Sequence, residues 1–195
     1  MSDSSVIELH YFLNKLYDYE PALFLKIKSY IYYPFKSNEE LRRAVNIIFG
    51  RQKKNYKFYE IQMKYKLKYG HISFWDTSRI TNMSKLFISI RYFNENINDW
   101  DVSNVTDMSS MFQFCGRFNQ PLNKWDVSNV TNMFRMFKSC VNFKQSLNDW
   151  DISNVSDMSY MFQTCYYFSQ KEKSWQIKSW DLSNVKNTNC MFKGT

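Results

Sequence analysis

The chain repeats itself at a fixed interval, and this constrains its fold more than any other feature. WDTSRITNMSKLF begins at Trp75, WDVSNVTDMSSMF at Trp100, WDVSNVTNMFRMF at Trp125, WDISNVSDMSYMF at Trp150 and WDLSNVKNTNCMF at Trp180. The spacings are 25, 25, 25 and 30 residues, the last lengthened by an insertion around Lys171–Gln176 that also carries Trp175. A fixed period makes each residue one member of a file, so every further reading has to be made in register.

Counted from each Trp, apolar residues recur at +2 (Val102, Val127, Ile152, Leu182), at +5 (Ile80, Val105, Val130, Val155, Val185) and at +8 (Met83, Met108, Met133, Met158). They continue at +11 and +12, as in Met111-Phe112 and Met136-Phe137, and at +18 with Phe93, Phe118, Phe143 and Phe168. Such steps describe one coil whose inward positions stack on their equivalents above and below. A single coil buries too little apolar surface to offset the entropy of ordering it. Neighbouring coils must therefore share burial and hydrogen bonds, which predicts an α/β repeat solenoid. Alternation over Leu122 to Val127 predicts a short strand, and stacked coils then make a parallel sheet. Apolar steps of three and four residues from Asn129 to Phe137 predict a short helical or 3₁₀ turn on the opposite side.

Composition excludes several classes. With 195 residues, 44% of them hydrophobic, and only four Gly and three Pro, the chain is not collagen-like, linker-like or strongly disordered. No apolar run approaches the roughly 18 residues that span a bilayer. The start, MSDSSVIELHYFL, lacks a basic region followed by an apolar one, so no secretory signal is expected.

The stretches KYGHISFWDTSRITNMSKLF and FNQPLNKWDVSNVTNMFRMFKSC, with their recurrent W-D-x-S-N-V-x-x-M-x-x-M-F core, resemble the BspA-like bacterial-surface-protein repeat. The resemblance runs from Ser37 to the C-terminus. It implies a leucine-rich-repeat-like, right-handed solenoid used to bind other macromolecules, with no enzyme activity. Such repeats occur on mycoplasma and Listeria surfaces and in large DNA viruses. Two Ala in 195 residues, beside abundant Asn, Lys, Ile, Tyr and Phe, suit AT-rich codons of a giant virus, a mycoplasma or an AT-rich protist. Surface members carry a signal or lipobox, whereas no Cys precedes Cys115 here, so an intracellular location is expected, the host cytoplasm if the source is viral.

Ahead of the repeats, residues 1–36 read as a helical extension, residues 37–74 as a helical cap and residues 75–195 as the five-copy array. Val6, Ile7, Leu9, Phe12, Leu13 and Leu16 form one helical stripe, and Leu23 to Ile31 a second apolar run after Pro21. Ser37 with Glu40 is a capping-box signal for a helix from Asn38 to Phe49, with Gly50 placed to end it. A basic helix is expected over Lys57–Lys68, stopping at Gly70. The stretch YEPALFLKIKSYI resembles the start of an F-box, a ubiquitin-ligase adaptor motif, which would involve residues 6–32. Residues 1–74 carry net charge +6 and residues 75–195 net +2. Arg51, Lys53, Lys54, Lys57, Lys64, Lys66 and Lys68, with Tyr56, Phe58, Tyr59 and Tyr65 among them, fit nucleic-acid or acidic-partner binding. They equally fit a solvated helix face whose aromatics pack on the array.

Two files could carry chemistry. Cys115, Cys140 and Cys165 share offset +15, one ladder spacing apart, and read as reduced, buried thiols. Parallel side chains in a file do not converge on zinc, and three equivalent positions cannot pair off as disulfides. Cys190, at +10, lies outside this file. Asp76, Asp101, Asp126, Asp151 and Asp181 form a second file at +1, whose like charges at about 5 Å repel by roughly 1 kcal/mol even in water. The following Ser-Asn places backbone N–H groups within Asx-turn reach, which would offset the repulsion. The alternative is a strip for a cation or basic ligand, extended by Asp99 and Asp149 and interrupted by Lys124. His10 and His71 lack a nearby nucleophile with a carboxylate, and no phosphate loop, dinucleotide fingerprint or zinc-hydrolase motif occurs.

These readings point to a non-catalytic protein–protein interaction module needing no cofactor or metal. Its expected contact residues are the outward positions Asp99, Asp101, Lys124, Asp126, Asp149 and Asp151. Alternatives are an adaptor to a host ubiquitin ligase through the F-box-like segment, or nucleic-acid binding by the basic cap. The final MFKGT follows the last copy without a visible cap, so an open edge that frays or associates end to end is also expected.

Overall fold

Successive copies pair directly, backbone to backbone. A computed structural model of the chain describes residues 23, 33–50, 56–168, 177 and 179–195. The chain divides into Met1–Tyr33 and Pro34–Thr195, and all that follows concerns the second unit. The apolar stripe at Val6–Leu16, most of the run after Pro21, the F-box-like segment and the insertion with Trp175 lie outside the described residues.

Asn82, Asp107, Asn132, Asp157 and Asn187, all at +7, form a continuous series of parallel bridges. Beyond them the N–H groups at +8, +10, +12 and +14 donate to the next tier: Met108 to Asn132 (3.0 Å), Ser110 to Phe134 (2.7 Å), Phe112 to Met136 (2.9 Å) and Phe114 to Lys138 (2.9 Å). The same four bonds join every other pair of neighbouring tiers. The alternate N–H groups fold back three residues, Met111 to Met108, Gln113 to Ser110 and Cys115 to Phe112. The turns that close at +11 and +15 are of the kind whose third residue is left-handed. Accordingly φ is positive at +10 and +14, for example at Ser110 (56°), Phe114 (65°), Arg135 (55°) and Ser139 (60°). In the fifth copy the +14 position is glycine, Gly194, with φ 77°.

This corrects two local expectations. The inter-tier ladder runs through +8 to +14 rather than through Leu122–Val127, and the stretch from Asn129 to Phe137, expected as a helical or 3₁₀ turn, keeps the three-residue bond from Met136 to Met133 but is broken from a helix by left-handed Arg135. Apolar residues three and four apart suit either conformation. A helix, however, would consume the N–H groups that the next tier's carbonyls need.

Side chains tie the remaining parts of each tier to its neighbour. Phe87, Phe112, Phe137, Phe162 and Phe192 stack at 5.5–5.7 Å between ring centroids. Phe93, Phe118, Phe143 and Phe168 form a parallel file at 5.8–5.9 Å. The indoles of Trp125, Trp150 and Trp180 stack at 6.3 and 6.4 Å, and those of Trp75 and Trp100 at 6.1 Å. Each later indole N–H also donates to the preceding tier: Trp100 to Ile72, Trp125 to Ile97, Trp150 to Leu122 and Trp180 to Leu147. The Asn amides at +4 do the same on the outside, Asn104 to Ser78 and Asn129 to Ser103, both at 2.8 Å. Leu182 is the exception among the +2 residues, exposed where Val102, Val127 and Ile152 are buried.

The first tier meets the cap instead of another tier. The chain runs from β1 (Tyr33–Pro34) to α1 (Asn38–Ile48), α2 (Tyr56–Tyr69), a 3₁₀ turn (Ile72–Phe74) and β2 (Trp75–Asp76). Ser37 caps α1 by accepting the Glu40 N–H at 3.2 Å, while the Glu40 carboxylate accepts the Lys36 N–H at 3.0 Å. Gly50 ends the helix because a Cβ there would lie 2.3 Å from the Asn46 carbonyl oxygen. Leu41, Ala44, Val45 and Ile48 are the buried side of α1. Its polar side chains imitate a tier: Asn38 Oδ1 accepts the N–H groups of Thr81 (3.1 Å) and Asn82 (3.2 Å). The Arg42 guanidinium donates to the carbonyls of Ser84 and Asn82. These are the +7 and +9 acceptors that every later tier offers to the tier before it. Trp75, lacking a preceding tier, packs against Phe35 (4.9 Å), and its buried indole N–H has no hydrogen-bond partner among the described residues.

Replacing Arg42 by Met should keep the packing and leave those carbonyls unpaired. The expected loss is about 2 kcal/mol, read as a lowered urea midpoint at unchanged slope.

Candidate functional site

The aspartate file at +1 is held by its own turn. Ser78, Ser103, Ser128, Ser153 and Ser183 each donate their N–H to the Asp two residues earlier, at 2.9–3.0 Å. In the second and third tiers the serine hydroxyl adds a bond of 2.6 Å. These bonds prevail over repulsion within the file. The hydroxyl and then the N–H of Ser128 hold the Asp126 carboxyl below its ordinary range, although the neighbouring Asp151 charge pushes it up. The Ser153 and Ser183 N–H groups likewise lower Asp151 and Asp181.

All six expected contact residues are exposed. Asp99, Asp101, Lys124 and Asp126 line one shallow depression of about 320 Å³ with Asn98 and Trp100. Lys124 does not merely interrupt the acidic strip: its Nζ lies 2.7 Å from Asp99 Oδ1. Asp149 and Asp151 line a second depression, also of about 320 Å³, together with Asp181 and Trp180. Among the described residues no three metal-ligating side chains converge.

The cysteine file is buried and reduced, and each thiol donates to the preceding tier: Cys115 to the Phe87 carbonyl, Cys140 to Phe112 and Cys165 to Phe137, at 2.8–2.9 Å. Burial pushes the Cys115 and Cys165 thiols up to about 12 and Cys140 well above its ordinary value. Cys190 is exposed. His71 accepts the Ser73 N–H and sits 3.9 Å from Glu95, whereas His10 lies outside the described residues.

Of the basic cap, Arg51, Lys53 and Lys54 lie outside the described residues. Within α2, Lys64 pairs with Glu60 at 2.8 Å and Lys68 approaches Glu40 at 3.8 Å, so part of the positive charge is answered locally.

Sequence reasoning missed a second outward surface. Among the described residues of the first four tiers, Ile88, Tyr92, Phe114, Tyr166 and Tyr167 are the large apolar side chains that remain exposed, and all lie between +13 and +17. These positions differ from copy to copy, so a search for the shared pattern passes over them. The available signal was an aromatic residue at a position that is polar in other copies.

Two measurements check this description. At pH 8 the native chain should take up one equivalent of a thiol reagent, at Cys190, and four after unfolding. For acid stability, a carboxyl whose folded value lies below its unfolded value stabilises fully above the unfolded value, and the contribution is lost as pH falls through the folded value. Melting temperature should therefore hold from pH 7 to 5 and fall below about pH 4. Asp126→Asn with Asp151→Asn should flatten that fall.

A family model described as "Mycoplasma protein of unknown function, DUF285" matches residues 54–175 and 174–195. No curated protein matches, and no solved structure matches. No helix among the described residues is long and apolar enough to cross a membrane. The matched stretches take in α2 and all five Trp-Asp copies, well over half of the chain, and the chain therefore belongs to the DUF285 family.

Proposed function

We propose that this chain is a non-catalytic protein–protein interaction module built on a repeat solenoid, of the BspA-like type within its family. The observation that supports it is the aspartate file at +1: carboxylates at the same offset in every tier, exposed from Asp101 onward, and each oriented by the N–H of the serine two residues on. Side chains oriented in this way lose little further entropy when a partner docks. The surface they form is acidic, open and shallow, which suits an extended basic segment of another protein rather than a small molecule.

Asn in place of Asp keeps the Asx-turn acceptor and removes only the charge. Asp101→Asn, Asp126→Asn and Asp151→Asn combined should leave the melting temperature at pH 7 within a few degrees of the parent. The same variant should weaken binding of a fluorescein-labelled Lys-rich peptide at least tenfold at low salt. Unchanged affinity in a folded variant would remove this surface from the binding role.

A further inference from the structure

Charge is segregated around the tiers. Between +9 and +17 the copies carry Lys85, Arg91, Arg117, Arg135, Lys138 and Lys193 and no carboxylate. The opposite stretch carries the aspartate files. The exposed aromatics described above fall on the same cationic arc, where two of the basic groups frame Tyr92: the guanidinium carbons of Arg117 and Arg91 lie 4.9 and 5.9 Å from its ring centroid. Among the described residues neither guanidinium meets a carboxylate or donates a hydrogen bond. A guanidinium lying over a ring keeps its edge N–H donors free, in the fork geometry that fits a carboxylate.

Beside this stack lies a groove of about 440 Å³, whose lining includes Arg91, Tyr92, Phe114, Gly116, Arg117 and Val141. The +16 file runs Arg91, Gly116, Val141, Tyr166 and the +17 file Tyr92, Arg117, Asn142, Tyr167, so cations stand at one end and two exposed tyrosines at the other. Stacked equivalents are 5.5–5.6 Å apart. Three steps make about 17 Å, the length of roughly five extended residues.

We propose that this arc is a second docking site, taking an extended acidic segment of a partner protein that also carries aromatic side chains. Its carboxylates would meet the edges of Arg91 and Arg117. Its apolar side chains would lie in the groove against Phe114 and Val141 and reach Tyr166 and Tyr167. Tyrosine and arginine, without acidic neighbours, are the composition of an interface centre. Single-stranded nucleic acid fits less well. It needs a charged groove that follows every phosphate and open ring faces for its bases. Here the cations of these files stop at Arg117, so the length of groove beyond it offers nothing to successive phosphates.

The test uses the full chain and a fluorescein-labelled hexapeptide of alternating Glu and Phe, read by anisotropy, beside its Gln-Phe counterpart and hexauridylate. The acidic peptide should bind at least tenfold more tightly than the other two. Arg91→Gln with Arg117→Gln, and separately Tyr166→Ser with Tyr167→Ser, should each weaken it at least tenfold at unchanged melting temperature. Asp126→Asn with Asp151→Asn should leave it unaffected, which separates this site from the acidic one. Full affinity in both double variants would overturn the proposal. So would no binding by the parent chain, hexauridylate binding as tight as the acidic peptide, or concentration-dependent self-association abolished by Arg91→Gln with Arg117→Gln.

Discussion

The structure depends on one hydrogen bond repeated in register, from a backbone N–H at +8, +10, +12 or +14 to a carbonyl of the next tier. To present those donors to a neighbour, the chain folds back on itself in linked turns and places two residues per tier, such as Arg135 and Phe114, in the left-handed region. For residues with a Cβ this costs about 1–2 kcal/mol each. Four inter-tier bonds of about 1 kcal/mol each, with the stacked phenylalanines between them, offset that cost. A tier in isolation would have the strained turns without the bonds, which is why the copies hold one another and why α1 must supply Asn38 and Arg42 as a substitute first neighbour.

Once the inward files are given to packing, the outward offsets are free to differ. Two kinds of outward position result. Position +1 is Asp in every copy, because Asp there also serves its own turn through the following serine. Those at +16 and +17 vary, from Arg91 to Tyr166 and from Arg117 to Tyr167, and so does +14, from Phe114 to Ser139, whose hydroxyl meets that of Thr164 at 3.2 Å. The separation of acidic and basic arcs follows from this division.

Much of the scaffold was legible in the repeat. The Trp, Phe and Cys files, the Asx turns at +1, the Ser37 cap and the stop at Gly50 all appear as read, because each depends on register or on local backbone chemistry. The ladder was misplaced because Met-x-x-Met-Phe spacing looks helical, and the residues at +10 and +14 are seldom those that advertise a left-handed turn. Gly194 alone carried that hint. The exposed aromatics escaped because a consensus retains what copies share, whereas Tyr92, Phe114 and Tyr167 are departures from it.

The sequence by itself determined the period, the membership of each file and the local turns, since these need only covalent spacing and neighbours within a few residues. Tertiary structure decided which stretch of each copy pairs, that Arg42 stands in for a missing tier, and that Arg91 and Arg117 meet over Tyr92. Those arrangements join residues some 25 or more positions apart. They arise only when neighbouring tiers compete for the same backbone donors, a competition that no local spacing records.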